Sequence, residues 1–119
     1  MVENPITLDI AILAKDKGFN ILTKECYHMG VRRTLSFVKE KKFPYSMCIF
    51  LPTLSLLQQW LKKNYDIDVI PVIEIENENK IYEFLIYYKN LKYENNENLK
   101  FKTADEAIGY GIKKILKTI

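Results

Sequence analysis

The sequence predicts an α+β fold, three helices packed on a mainly antiparallel sheet of four to six strands. Three observations carry that prediction. Apolar residues recur at helical spacing over three segments, each marked by a start or stop signal. Across residues 67–88 the apolar period changes to two, as in paired strands. Residues 45–51 are apolar enough to form a strand that has lost its polar face. The chain has 119 residues, 48% apolar and 28% charged, which is the balance of a globular protein. Its length suits one compact domain, residues 1–119, whose core needs neither a metal nor a disulfide.

The first helix is expected over residues 7–17. Ile6, Leu8, Ile10, Ala11, Ile12 and Leu13 give it a broad apolar stripe, and Thr7 stands at the N-cap. Gly18 can take the left-handed position beyond its end, with Phe19 placed to close the cap. Residues 25–28 read as a short strand, Met29-Gly30 as a turn, and residues 31–38 as a second strand. The run Lys39-Glu40-Lys41-Lys42 reads as an exposed loop. Pro52 ends the strand at 45–51, and Thr53 caps a helix running to Tyr65. Leu54, Leu57 and Leu61 lie on one face of that helix, widened by Leu56 and Trp60.

Pro71 interrupts the alternating segment that begins at Ile67. Lacking an amide hydrogen, it requires an edge strand or a bulge. Residues 76–80 supply a hairpin turn, and residues 81–88 return with apolar side chains on both alternations. A polar loop at 94–98 and a short strand at 99–102 follow. Thr103-Ala104-Asp105-Glu106 has the pattern of a capping box opening a final helix. Ala104, Ala107, Ile108, Gly111, Ile115 and Ile119 form the inner face of this helix. Its small residues allow close approach to a sheet, and Lys113, Lys114 and Lys117 suit its negative end.

Several residues with reactive side chains attract attention, and none forms a complete site. Cys26 and His28 stand two apart, on one face of a strand, where a Cys/His pair is one route to an activated thiolate. No third orienting residue is identifiable, and His28 is the sole histidine. Zinc held by Cys26, His28 and Cys48 lacks a fourth ligand at a standard spacing. The two cysteines show no CxxC spacing and are most simply free thiols. Asp66 and Asp68, and Glu74, Glu76 and Glu78, pair acids on a hairpin, where a solvated acidic face is the default. Gly109 and Gly111 fall inside a helix rather than in a phosphate-binding loop. No cofactor, metal or catalytic residue is therefore expected.

Charge is distributed more tellingly. The net charge is only +3, and Lys outnumbers Arg sixteen to two, which falls short of a dedicated nucleic-acid surface. Yet Lys24, Arg32, Arg33, Lys39, Lys41 and Lys42 cluster in residues 24–42, whereas residues 66–83 are acidic apart from Lys80. A basic patch with Tyr27, Phe37, Phe43 and Tyr45 interleaved would hold phosphates and stack bases. The plainer reading has the lysines solvated and the aromatic rings turned inward. The longest uncharged run, residues 43–61, is broken by Pro44, Pro52 and polar side chains, and is expected to be strand plus helix rather than a membrane span. The start Met-Val-Glu-Asn-Pro has no export signature, so a cytoplasmic location is expected.

One resemblance extends over nearly the whole chain. It rests on Thr7-Leu8-Asp9 through Lys17-Gly18-Phe19-Asn20, on Cys26-Tyr27, on the block from Pro52-Thr53 to Gln58-Gln59-Trp60-Leu61, and on Thr103-Ala104-Asp105-Glu106-Ala107 running into Ile115-Leu116. In order and wording these segments resemble a group of small proteins of unknown role encoded by bacteriophages and prophages, especially of gut Bacteroidetes. The resemblance implies a bacterial host cytoplasm and an accessory phage role, and transfers no catalytic residue. The expected function is a non-enzymatic protein-interaction module whose partner is a host protein, a phage protein or a second copy. The first alternative is a weak nucleic-acid binder using Arg32, Arg33, Lys39, Lys41 and Lys42. The second is an enzyme whose site has no recognisable motif.

Overall fold

The structure, a computed structural model, describes residues 6–89, 91–94 and 99–119, with 91–94 described in backbone alone. The start read for an export signal, residues 1–5, and residues 95–98 of the polar loop lie outside the described residues. The element order is α1 (Leu8–Asp16), β1 (Glu25–His28), β2 (Val31–Thr34), α2 (Leu35–Glu40), a 3-10 turn (Tyr45–Met47), β3 (Cys48–Phe50), α3 (Leu54–Tyr65), β4 (Ile67–Glu76), β5 (Asn79–Tyr88), β6 (Leu91–Glu94) and α4 (Ala104–Thr118). The fold is α+β and every strand pairing is antiparallel. Among the described residues, six strands form two three-stranded sheets, ordered β2-β1-β3 and β4-β5-β6. The chain divides into two compact units, Met1–Thr53 and Leu54–Ile119.

In the first unit, α1 ends as its sequence requires. Gly18 sits at φ +100, its N–H bonds to the Lys15 carbonyl at 3.0 Å, and the Phe19 N–H bonds to the Ala14 carbonyl at 3.0 Å, the paired bonds of a Schellman cap. At the other end Thr7 occupies the N-cap, but its hydroxyl donates to the Asp9 carboxylate instead of accepting from a backbone amide. The β1–β2 hairpin turns on Met29-Gly30, both at positive φ, as a two-residue turn of right-handed twist demands.

The strand expected over residues 31–38 stops at Thr34. There the Thr34 hydroxyl accepts from the Phe37 N–H at 3.2 Å and starts α2. Cap chemistry thus overrode a short alternation. The Lys39–Lys42 run is consequently a helix end rather than a loop. Lys42 takes φ +56, with its N–H on Lys39 and the Phe43 N–H on Val38, again a Schellman pair. Buried Cys26, Val38 and Cys48, with Phe43 and Phe50 against them, form a cluster within this unit.

The second unit is built on the long β4–β5 hairpin, which closes through Asn77-Glu78, both left-handed. Pro71 lies on the edge strand β4, opposite Phe84 and without a bulge. β6 was not foreseen, and the strand expected at 99–102 reduces to one bridge between Phe101 and Tyr82. α3 lies against β4, and α4 lies against β4 and β5. Ala107, Ile108, Gly111, Ile112, Ile115 and Leu116 are the buried face of α4. Thr103 accepts from the Glu106 N–H at 3.1 Å, which supplies the first arm of the predicted capping box.

Gly111 sets the helix–sheet distance. A Cβ there would lie 2.8 Å from Val69 Cγ1 and 3.0 Å from Phe84 Cδ2. Among the described residues no helix is long and apolar enough to cross a membrane. The uncharged run at 43–61 is divided among the 3-10 turn, β3 and most of α3.

Candidate functional site

Of the basic residues of 24–42, Arg33 and Lys41 meet at one aromatic ring and Arg32 lies apart from them. Arg32 and Arg33 are neighbours on a strand and point to opposite faces of the sheet. Arg32 pairs with the Glu25 carboxylate on its own face. Arg33 lies over the Phe37 ring, 4.6 Å from its centroid, with the Lys41 ammonium 5.8 Å from the same ring. The Arg33 Nε is buried without a hydrogen-bond partner. Lys39 and Lys42 are exposed at the end of α2.

The rings read as possible stacking platforms are largely engaged inside the unit. Phe43 stacks on His28 at 4.2 Å with the planes 6° apart, and Tyr45 meets Phe50 edge-on.

Cys26, His28 and Cys48 do come together. His28 is directly opposite Cys48 across β1 and β3, and Cys26 is opposite Phe50, which makes the two cysteines diagonal neighbours on one face. Both are free and buried. Burial, with Cys48 alongside, pushes the Cys26 thiol up to about 11. That direction disfavours the thiolate and so works against nucleophilic use. Among the described residues no group of three or more His, Cys, Asp or Glu side chains is placed to hold a metal ion. The paired acids Asp66 and Asp68 share the Lys62 ammonium at 3.0 and 2.9 Å.

The outer half of the β4–β5 hairpin has a more specific geometry. The two strands alternate between pairs that exchange ladder hydrogen bonds and pairs that do not. Tyr82 exchanges both of its main-chain bonds with Phe101, each at 2.9 Å, so Tyr82 and its β4 partner Ile73 are a pair that does not exchange them. The N–H and C=O of Ile73 therefore face the outer edge of β4. Residues two apart share that direction, which places Val69, Pro71 and Ile75 in the same set. Val69 agrees, since its carbonyl accepts from the Gln58 side chain on α3 at 3.0 Å. Pro71 also agrees, since its missing N–H removes nothing from the ladder with β5. Among the described residues, no hydrogen bond reaches Ile73 or Ile75 from the outer side.

The exposed isoleucines and the carboxylates of this half lie on opposite faces. Ile73 and Ile75, 58% and 76% exposed, share one face with Tyr82 and Lys80. Glu74, Glu76 and Glu83 share the other with Val72, Ile81 and Asn79. The far edge, along β5, is already read by the chain itself at Leu99-Lys100-Phe101-Lys102. Phe101 joins Phe84 and Tyr110 on the apolar side, with ring centroids at 6.4 and 5.4 Å. Lys100 bonds to Glu76, and that carboxylate, with Glu74 and Glu83 near it, raises the ammonium's pKa above its usual value. Sequence reasoning named the acidic hairpin and the edge proline. It did not find the outward register, because that follows from a two-residue turn at Asn77-Glu78, and the sequence placed the turn only within residues 76–80.

Compared with family models, curated proteins and solved structures, the chain finds no match in any of the three.

Proposed function

We propose that the chain is a protein-interaction module rather than an enzyme, and that it takes its partner by strand addition on the outer edge of β4. The observation that carries this reading is the outward-facing, unbonded main chain of Ile73 and Ile75, with the exposed isoleucines on one face and Glu74 and Glu76 on the other. Added strands gain affinity from main-chain bonds and specificity from alternate side chains. The complementary partner is an extended segment that alternates apolar with basic residues. Its apolar side chains would lie beside Ile73 and Ile75, and its Lys or Arg beside Glu74 and Glu76.

The chain's own Leu-Lys-Phe-Lys segment meets the same two faces from the β5 side, which supports that pattern. A second copy fits less well. Antiparallel pairing of two β4 strands about an axis normal to the sheet would gather both sets of carboxylates on one face, and like charges in one row destabilise it. Pro71 would also deny that ladder a donor. In the phage setting suggested by the sequence resemblance, the partner would be a host or phage protein.

The test uses a labelled peptide with the sequence Lys-Ile-Lys-Phe-Lys-Ile and its Glu-for-Lys counterpart, followed by fluorescence anisotropy. The basic peptide should bind saturably, and Ile75→Pro should abolish binding because it deletes an outward N–H. Pro71 has the same orientation, so the hairpin itself should tolerate that change. Glu74→Lys with Glu76→Lys should weaken binding at least about tenfold, the effect of roughly 1.4 kcal/mol. Equal binding of the acidic peptide, or binding unaffected by Ile75→Pro, would refute strand addition.

A further inference from the structure

The first unit contains a pocket of about 440 Å³ that the strand-addition reading does not use. Its apolar wall comes from Phe19, Leu22, Tyr45 and Phe50, and its polar groups include Lys15 and Asn20. The wall follows from local structure already described. Gly18 reverses the chain after α1, so that Phe19 is buried and Leu22, half exposed, stands at the opening. Tyr45, on the 3-10 turn, meets Phe50 edge-on at 6.1 Å and completes an aromatic side.

Lys15 is fixed at this wall. Its Nζ donates to the carbonyls of Ser46 at 3.2 Å and Cys48 at 3.1 Å. Both acceptors are neutral, so they orient the ammonium without cancelling its charge. Among the described residues no carboxylate bonds to it. An ammonium carries three donors, and two are used. The pocket thus joins aromatic and aliphatic walls to one positioned positive charge with a donor to spare. Its volume is in the range of small-molecule sites, which combine mostly apolar walls with a few placed polar groups.

We infer that this pocket binds a small aromatic anion, a one- or two-ring body carrying a carboxylate or sulfonate, with the rings against Phe19, Tyr45 and Phe50 and the anion on Lys15. This site lies in residues 11–50 and is independent of the β4 edge.

Two dyes with the same rings separate the charge from the wall. Anilinonaphthalene sulfonate is an aromatic anion, and N-phenylnaphthylamine is its uncharged analogue. Fluorescence titration of the intact chain should show saturable binding of the anionic dye, one per chain. Lys15→Met should weaken the anionic dye about tenfold or more and leave the neutral dye within about twofold, while Lys15→Arg keeps both. Asn20→Trp, at an exposed position on the rim, should exclude both. The inference is overturned if the anionic dye binds without saturation, if Lys15→Met binds both dyes as the parent does, or if Asn20→Trp leaves both unchanged. Should Lys15→Met fail to fold by circular dichroism, the Lys15→Arg and Asn20→Trp titrations decide by the same criteria.

Discussion

Replacing Gly111 by alanine should destabilise the 54–119 unit even though alanine is the better helix former. The built Cβ would lie 2.8 Å from Val69 Cγ1 and 3.0 and 3.1 Å from two Phe84 ring atoms. Carbon atoms pack best at about 3.5–4.0 Å, so helix and hairpin must separate by several tenths of an ångström or more. Neither neighbour is the end of a flexible side chain, and Phe84 is itself buried between α4 and the sheet. Overpacking of this kind costs about 1–3 kcal/mol, against about 1 kcal/mol gained in helix propensity. Gly109 is the internal control. A Cβ there meets only Leu54 Cδ2 at 3.9 Å, an ordinary contact, so Gly109→Ala should stabilise by up to about 1 kcal/mol. The propensity gain is common to both variants, so their difference isolates the overpacking cost, about 1–3 kcal/mol. Trp60, the sole tryptophan, is buried in this unit and packs edge-on to Tyr65, which makes its fluorescence the natural signal for urea unfolding. If Gly111→Ala were as stable as Gly109→Ala at unchanged m-value, the close approach of α4 to the sheet would be wrong.

Alkaline pH should expose the buried thiol. An unfolded cysteine ionises near pH 8.5, whereas the folded Cys26 thiol holds its proton to about 11. Its raised pKa contributes stability that is fully present below the unfolded value and is lost as pH climbs through the folded one, with a limiting slope of about 1.4 kcal/mol per pH unit. Relative to Cys26→Ala, the parent's urea midpoint should therefore fall between pH 8.5 and 11; parallel midpoints would contradict the shift. At the basic segment, Arg33→Met should be neutral or stabilising, because it removes a buried unpartnered donor that costs about 1–3 kcal/mol and retains contact with Phe37. Arg32→Met should cost no more than about 1 kcal/mol, as an exposed pair does. Thermal unfolding distinguishes these outcomes, and a large loss on Arg33→Met would show that its guanidinium has a partner. If the basic segment binds nucleic acid, retention on an RNA or DNA column should fall steeply with salt and disappear when Arg32, Arg33, Lys41 and Lys42 are replaced; retention unchanged by these replacements would remove that alternative.

What could be read from sequence followed the strength of the local rule. Gly18 and the Thr103 to Glu106 pattern mark helix ends because capping is a property of a few adjacent residues. Pro71 announced an edge strand because a missing N–H excludes a central one. The segment 31–38 misled because Leu35, Ser36 and Phe37 alternate as a strand would, yet Thr34 two residues past Arg32 offers its hydroxyl to the Phe37 amide and turns the chain into α2. Six residues of helix give too little apolar periodicity to outvote an alternation. The edge site was only half legible. The acidic and apolar alternation at 73–76 is written in the chain, but which main-chain groups face outward is decided by the two-residue turn at Asn77-Glu78, which a turn read over residues 76–80 does not fix. The division into two sheets was equally hidden, since strand partners are chosen through contacts that no single segment encodes.

The most direct measurement is amide hydrogen exchange at Ile73 and Ile75, with and without the alternating basic peptide. In the free chain both amides should exchange rapidly, while ladder amides such as those of Ile70 and Val72 are protected. The peptide should protect Ile73 and Ile75 and leave Ile70 and Val72 unchanged. Protection of the Ile73 and Ile75 amides in the free monomer, or no added protection at saturating peptide, would contradict the account of β4 as an open, partner-taking edge.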